Sequence, residues 1–290
     1  MAGIKELRLR IKSVGNIKQI TRAMEMVATT KLRRFQDRAI ASRPYAEEIA
    51  GLVGRLAGQL GEELDERPLF NKGTGDKVLC LVVSSDRGLC GAYNANLFKQ
   101  LERWNAAQTQ PVEFYCIGKK AMAYTRSRGH KVALYLENPP LENTDYRSAA
   151  VVASMLVQAF LSGEYSAVSI MGTDFVSMAR YEPRVTQFLP IQASALGAGD
   201  EKQIGDPILE PSAAEIFDVL VPRYLETQIF NLMLESLTSE YASRRFAMKN
   251  ATDAANDMQA VLKGIYNRKR QEGITTELLD IVGGAAAIAK

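Results

Sequence analysis

The sequence predicts an α/β protein in which the N- and C-terminal helices form a long antiparallel coiled coil around an inserted α/β domain. Two observations lead to this fold class. Apolar residues recur at coiled-coil spacing at both ends of the 290-residue chain, and the segment between them alternates between strand-like and helix-like patterns. We place the coiled-coil helices at residues 1–60 and 212–290 and the α/β domain at residues 76–195.

The N-terminal segment has apolar residues at three- and four-residue spacing with one three-residue slip, which predicts a coiled-coil seam with a stammer. Because Pro44 is the first proline, we expect an unbroken helix of about 40 residues, roughly 60 Å long at about 1.5 Å per residue. The predicted seam consists of Ile4, Leu7, Ile11 and Val14, then Ile17, Ile20, Met24 and Val27.

The middle segment contains short β-branched runs separated by helical patterns. This alternation favours a mostly parallel sheet with helices on its faces, a Rossmann-like α/β domain. The predicted strands are residues 78–83, 112–117, 131–136 and 167–171, and the predicted helices are residues 94–105, 119–128 and 145–162.

The C-terminal segment repeats the helical signal. Ser212 and Glu215 have the spacing of a capping box, and Pro222 is expected in the first turn of the helix or at a kink. Gly264 weakens the helix by up to about 1 kcal/mol, a cost that packing against a partner helix can offset. Neither terminal helix can bury its seam alone, so the two are expected to pair. The predicted C-terminal seam consists of Ala251, Ala254, Met258, Val261 and Ile265, then Ile274, Leu278, Ile281, Ala285 and Ile288.

The charge is segregated along the chain. Residues 1–44 hold eleven Lys or Arg against three acids, and residues 241–290 hold eight against five, whereas the whole chain has a net charge of only +3. The basic ends therefore predict an anionic partner, which charge alone leaves open among nucleic acid, a lipid surface and an acidic protein face.

The cellular compartment follows from cysteine usage and hydropathy. Three cysteines without C-x-x-C spacing suit a reducing compartment, and no run approaches the roughly 18 apolar residues of a membrane span. The N-terminus alternates charged and apolar residues, unlike a signal peptide. We therefore expect exposure to the cytosol.

Nucleotide-binding motifs are incomplete. The turn at residues 84–91 has two glycines but no G-x-G-x-x-G, which favours a tight turn that starts a helix. Gly118-Lys119-Lys120 resembles the end of a phosphate loop, but neither the earlier glycine nor a following Ser or Thr is present. A nicotinamide-type oxidoreductase remains the weaker alternative.

Catalytic and metal-binding patterns are also missing from the sequence. His130 is the only histidine and is expected at the surface, G-x-S-x-G is absent, and the cysteines lack metal-ligand spacing. We therefore predict no catalytic, cofactor-binding or metal-binding residues.

A nucleic-acid binder is the second alternative, because a basic region that leads into heptads can enter the DNA major groove. The basic residues here overlap the heptads instead of preceding them, which argues against it, and we predict no nucleic-acid partner. The residues concerned are Lys31, Arg33, Arg34 and Arg38.

Five strings in order resemble the gamma subunits of rotary (F-type) ATP synthases, and the resemblance covers essentially the whole chain. No long cysteine-bearing insertion interrupts the α/β domain, so the bacterial form is the better match. The strings are IKQITRAMEMVA at residues 17–28, KLRR at 31–34, SDRGLCG at 85–91, AMKNATD at 247–253, and ITTEL at 274–278 leading to Gly284-Ala285.

The resemblance implies a central-stalk rotor subunit that is not itself catalytic. Its helix pair would turn inside a ring of alpha and beta subunits, with catalysis in beta, and its α/β domain would sit on the c-ring beside epsilon. That places the chain at the cytoplasmic face of a bacterial inner membrane, as a peripheral protein. The resemblance also implies shaft-to-ring contacts at Met24, Arg244, Arg270, Gln271, Thr275 and Glu277, and a c-ring-side contact at Glu210.

Overall fold

The computed structural model describes residues 2–178, 180–192, 196, 210 and 212–288. Met1, Ala179, residues 193–195 and residues 289–290 of the predicted segments lie outside the described residues. The chain divides into two compact units, Met1–Ala28 with Arg244–Lys290, and Thr29–Ser243.

The order of elements confirms the predicted fold class, with a long helix at each end and an α/β sheet between them. Three 3₁₀ turns, Gly61–Glu66, Pro68–Phe70 and Leu141–Asn143, complete the described elements. In chain order the helices and strands are α1 (Ala2–Leu60), β1 (Lys77–Val83), α2 (Tyr93–Ala106), β2 (Val112–Ile117), α3 (Lys119–Ser127), β3 (Lys131–Leu136), α4 (Tyr146–Leu161), β4 (Tyr165–Ser177), β5 (Arg180–Leu189) and α5 (Ala213–Ile288).

The sheet has the order β3-β2-β1-β4-β5. The first four strands are parallel and β5 runs antiparallel to β4. The sequence analysis missed β5 because Pro183 lies inside it, and proline removes a donor from the ladder. An edge strand tolerates this loss, and among the described strands β5 pairs only with β4.

The sheet is covered on both faces. Met171 joins a buried cluster with residues of β1, β2, α2 and α3, including Leu97 and Ala121. Its neighbour Gly172 points to the opposite face, because side chains alternate along a strand. A Cβ added at Gly172 would lie 2.4 Å from Leu232 Cδ1 of α5, so α5 packs against that second face.

Both long helices contain an interior proline, so α1 extends past the expected length of about 40 residues, and of the two positions expected for Pro222 the first turn is excluded. Helix α1 continues through Pro44 to Leu60, and Pro222 lies inside α5 beyond its first turn. An interior proline costs about 3 kcal/mol. In α1 the burial of Ile49, Val53 and Leu56 beyond Pro44 offsets this cost.

The N-terminus of α5 confirms the predicted capping box. The backbone N–H of Glu215 donates to Ser212 Oγ at 3.2 Å, and the Ile216 N–H donates to the Ser212 carbonyl at 3.1 Å. The first bond satisfies an amide that the start of a helix leaves without an intrahelical partner, and the second is the first backbone bond of the helix itself.

Candidate functional site

In the first unit, the start of α1 lies antiparallel to the end of α5. Thr252 Oγ1 donates a 2.8 Å hydrogen bond to Thr21 Oγ1. A Cβ added at Gly15 would lie 3.0 Å from the side chain of Gln259, and one added at Gly3 would lie 3.7 Å from Lys269 Nζ. Residue numbers fall along α1 as they rise along α5, as an antiparallel pair requires.

The seam of α1 does not contain the predicted slip. Buried and half-buried positions continue in one heptad frame through Lys18, Thr21, Glu25 and Ala28. The predicted seam residues Ile17, Ile20 and Val27 are instead 50%, 59% and 57% exposed. The predicted stammer is therefore wrong, and these three residues form an exposed apolar strip beside the seam, the α1 strip.

The seam of α5 is likewise displaced by one residue. Met248, Thr252 and Ala255 are buried, and Gln259, Leu262 and Tyr266 are half-buried. The large apolar residues of the predicted seam from Met258 to Ile281 lie to either side of this line and are exposed. They form a first α5 strip (Met258, Val261 and Ile265) and a second α5 strip (Ile274, Leu278 and Ile281).

The displaced seam mixes small and large side chains. Gly15 is small and Thr252 donates to Thr21, but Leu262 and Tyr266 lie on the same line. The helix pair therefore keeps one heptad frame instead of following the apolar residues through the predicted slip. Hydrophobic spacing alone did not reveal this.

The three strips expose large apolar side chains on one compact unit. Such patches on a protein usually mark contact with a partner. The same unit is basic, because residues 1–28 and 244–290 together hold fourteen Lys or Arg against seven acids. The first unit therefore fits a partner with apolar and acidic surfaces.

Four of the predicted contact residues surround the second α5 strip. At about 100° per residue, Arg270 and Glu277 fall on one side of the strip and Gln271 and Thr275 on the other. All four are exposed. The structure thus brings them together at one end of α5.

The remaining predicted contacts are placed differently. Met24 is half-buried and borders the α1 strip, whereas Arg244 is only 6% exposed and lies at the start of the α5 part of the first unit. Glu210 is exposed, and its two sequence neighbours lie outside the described residues.

The turn that resembled a phosphate loop is occupied by the protein itself. Backbone amides at the start of α3 donate to Asp86 Oδ1 from Lys119 at 3.0 Å and to Ser84 Oγ from Ala121 at 2.7 Å. Gly118 has φ +93°, and a Cβ there would lie 2.2 Å from the Ser84 carbonyl oxygen. The glycine therefore permits a close approach of two loops, which explains the motif without a phosphate.

His130 is not the surface residue that the sequence analysis expected. Its Nε2 lies 3.1 Å from Glu102 Oε1, its ring centroid lies 5.4 Å from that of Phe114, and its side chain is 18% exposed. Burial raises the pKa of Glu102, but the hydrogen bonds from His130 and Tyr124 outweigh burial and lower it overall. The pair ties α2 to the start of β3.

The basic residues that suggested DNA binding are partly engaged within the second unit. Lys31 contacts Glu142 and Tyr241, and Arg38 Nη2 donates to the Thr144 carbonyl at 2.9 Å. The guanidinium of Arg34 lies 5.8 Å from the Phe35 ring. These contacts reduce the positive charge available to phosphate groups.

The part of the chain that the structure describes lacks both a membrane-spanning helix and a cluster of metal ligands. No helix there is long and apolar enough to cross a membrane. No three His, Cys, Asp or Glu side chains are grouped in a way that could hold a metal ion.

Comparison with known proteins gives one consistent family. A family model described as ATP synthase matches residues 3–288. A protein of Geobacter sp. (strain M21) named ATP synthase gamma chain is 39% identical over 292 residues, and one of Cytophaga hutchinsonii is 40% identical over 300 residues. Each match covers 99% of both chains.

Solved structures share the fold at lower identity. A chain in the rotor of the Euglena gracilis mitochondrial ATP synthase is 17% identical, with a TM-score of 0.66 over 94% of this chain and 99% of that one. A chain in the central stalk and c-ring structure of the Tetrahymena thermophila enzyme is 22% identical, with a TM-score of 0.56 over 80% and 99%.

Proposed function

Because the chain belongs to the ATP synthase gamma-chain family, we propose that it is the central-stalk rotor subunit of a proton-translocating ATP synthase. In this role it transmits rotation of the c-ring to the ring of alpha and beta subunits and so drives ATP synthesis. The observation that carries the proposal is the full-length match to gamma chains, together with a basic helix pair that exposes apolar strips.

The exposed strips support a shaft enclosed by partners. Burial of one large apolar side chain is worth about 1.5–3 kcal/mol, so a helix pair with many exposed ones gains from an apolar collar around it. Each proton that crosses 100 mV supplies only about 2.3 kcal/mol, so several must be pooled to release one ATP. A laterally packed helix pair can hold that strain without melting.

We propose direct contacts with the catalytic ring for the five accessible residues of the predicted set. Arg244 is buried in the free chain, so we assign it a role in positioning its neighbours. Glu210 stays proposed for the c-ring side. The five direct contacts are Met24, Arg270, Gln271, Thr275 and Glu277.

The assembly follows from the same proposal. Catalysis resides in the beta subunits, the α/β domain at residues 76–195 sits on the c-ring beside epsilon, and residues 1–60 and 212–290 supply the shaft. The chain is peripheral to the cytoplasmic face of a bacterial inner membrane and is held there through the complex. The bacterial sources of the relatives support this location.

Truncation and reconstitution test the function. The chain is co-expressed with alpha, beta, epsilon and membrane sector, with and without residues 274–290. We expect the full chain to co-purify and support ATP synthesis in vesicles, and the truncated chain to couple poorly while its α/β sheet unfolds at an unchanged denaturant concentration. Unimpaired ATP synthesis with the truncated chain would contradict the proposal.

A further inference from the structure

Glu142 joins three elements of the second unit. It lies in the 3₁₀ turn Leu141–Asn143 that follows β3, and its two carboxylate oxygens accept hydrogen bonds from different helices. Oε2 accepts from Lys31 Nζ of α1, and Oε1 accepts from the Tyr241 hydroxyl of α5. Lys31 Nζ and the Tyr241 hydroxyl are themselves 3.2 Å apart, which closes the group.

The surroundings of this group hold it in place. Leu141 and Thr144, on either side of Glu142, are 3% and 4% exposed. The Tyr241 ring stacks on Phe35 of α1 with centroids 5.5 Å apart. Arg38, about two helical turns beyond Lys31 on α1, donates to the Thr144 carbonyl. The turn is therefore anchored on α1 at two positions and on α5 at one.

The carboxylate is charged at neutral pH. Burial raises the pKa of Glu142, but hydrogen bonds from Lys31 and Tyr241, with the positive charges of Lys31 and Arg87, outweigh burial and lower it. Both hydrogen bonds are therefore charge-assisted, which makes them shorter and stronger than neutral ones.

Two other contacts in this unit join only two elements each. Ser42 Oγ donates to Asn231 at 2.9 Å and links α1 to α5 only. The Thr173 amide donates to Ser236 Oγ at 3.1 Å and links β4 to α5 only. When the sheet twists against the helices, each of these two contacts can be strained without the other. Movement of Glu142, in contrast, strains its hydrogen bonds to α1 and to α5 at the same time.

We propose that Glu142 is a positioning residue for torque transfer, which with Lys31 and Tyr241 fixes the turn after β3 on both long helices and stiffens the joint between sheet and helix pair. The inference rests on the proposed rotor function and deepens it, because it names side chains through which load passes between the α/β domain and the helices. Within the unit, load then travels through side chains as well as along the helix backbones.

The test compares Glu142→Gln and Tyr241→Phe with the unmodified chain in two measurements. In an immobilised complex with alpha and beta subunits, a bead on Lys99→Cys of α2 reports angular fluctuation during catalytic pauses. In the free chain, spin labels on Glu137→Cys and Asp37→Cys report the distance between the β3 turn and α1. We expect both variants to widen the distribution of bead angles and the distribution of spin-label distances.

Rescue separates load transfer from simple stability. The exchange of Lys31→Glu with Glu142→Lys keeps an ion pair and is expected to restore both widths, while each single change widens them. A double-mutant cycle of chemical unfolding measures the coupling. The effect of one substitution on the unfolding equilibrium constant is expected to differ by a factor of about 2 to 10 between chains with and without the other substitution. The matched control Glu102→Gln removes a hydrogen bond to His130 that touches neither long helix, and should leave both widths unchanged.

Two outcomes overturn the proposal. Unchanged widths in Glu142→Gln, with unfolding shifted only as in Glu102→Gln, would reduce Glu142 to a stabilising surface contact. Widths that the charge exchange fails to restore would exclude the ion pair as the cause. Failure of the unmodified complex to rotate would instead contradict the rotor function, and the spin-label distances would still decide whether Glu142 holds the turn on α1.

Discussion

At the residue scale, Glu113 shows how one side chain organises an edge of the sheet. Its Oε1 accepts from Lys131 at 2.8 Å and lies 3.2 Å from Lys77 Nζ, and its Oε2 accepts from the Tyr165 hydroxyl at 3.0 Å. The side chain is 7% exposed, so these partners replace its hydration. One carboxylate thereby connects residues of β1, β2, β3 and β4.

The pKa of Glu113 makes this cluster testable by pH. Burial raises its pKa, but hydrogen bonds from Lys131, Tyr165 and Lys77 outweigh burial and lower the pKa below the ordinary 4.5. A lowered folded-state pKa contributes stability that is complete above the unfolded pKa and is lost as pH falls through the folded pKa. The Glu113 carboxylate should therefore stabilise the fold at neutral pH, and this contribution should be lost in acid.

We predict that Glu113→Gln lowers the free energy of unfolding at neutral pH by about 1–3 kcal/mol, because charged hydrogen bonds become neutral ones. The variant should lose less stability than the unmodified chain between about pH 5 and about pH 3. Urea unfolding followed by circular dichroism measures both. Glu137→Gln, at an exposed 3.6 Å pair with Lys119, is the control. Identical acid sensitivity of Glu113→Gln and the unmodified chain would refute the assignment.

At the element scale, α5 packs where a glycine of β4 lets the helix approach the strand backbone closely. Gly172 of β4 faces α5, where an added Cβ would lie 2.4 Å from Leu232 and 2.6 Å from Ser236 Oγ. Ser236 also accepts the Thr173 amide, and Ser239 donates to the Thr173 carbonyl at 3.2 Å. Small and hydroxyl-bearing residues thus dock this part of α5 on the backbone of β4.

Two glycines in or against α5 should respond oppositely to alanine. Gly172→Ala forces a methyl group into packed atoms and should lower the free energy of unfolding by about 1–3 kcal/mol. Gly264→Ala, where an added Cβ meets nothing within 4 Å, should raise helix stability by up to about 1 kcal/mol. Thermal or urea unfolding measures both changes. Destabilisation of equal size at both positions would contradict the close approach at Gly172.

At the scale of the whole molecule, assembly should depend on surface that the free chain leaves exposed. Ile274 and Leu278 of the second α5 strip are 50% and 58% exposed. A substitution there costs the free chain little and reveals what the strip does in the complex. In the free chain these two side chains are exposed to solvent. Under the proposed function they contact the catalytic ring.

We predict that the double variant Ile274→Asp with Leu278→Asp changes the free energy of unfolding by only about 0.5 kcal/mol. Loss of one buried apolar side chain per site should weaken association with alpha and beta subunits by at least about tenfold. Pull-down at graded concentrations measures the association. Val219→Asp, at a 68% exposed apolar residue of the second unit, is the control. Equal weakening by the control would show a general effect of added charge.

Local sequence patterns and the resemblance were enough to predict the fold class, the order of the central elements and the family. Strands β2 and β3 have the predicted bounds, and Ser212 caps α5 as expected, because period, β-branching and capping are local properties of the chain. The resemblance implies contacts at Arg270, Gln271, Thr275 and Glu277, and the structure shows all four exposed on α5. Their contacts with partners remain predictions.

Only the tertiary structure decided which helix faces meet, which glycines are close approaches and where Glu142 binds. Hydrophobic spacing selected Ile17, Met258 and their neighbours for the seam, yet the helices pair along a line one position away, where Thr252 donates to Thr21. Periodicity records which residues share a face, whereas pairing depends on the volume between two helices. That volume is a property of residues more than two hundred positions apart, and no local pattern contains it.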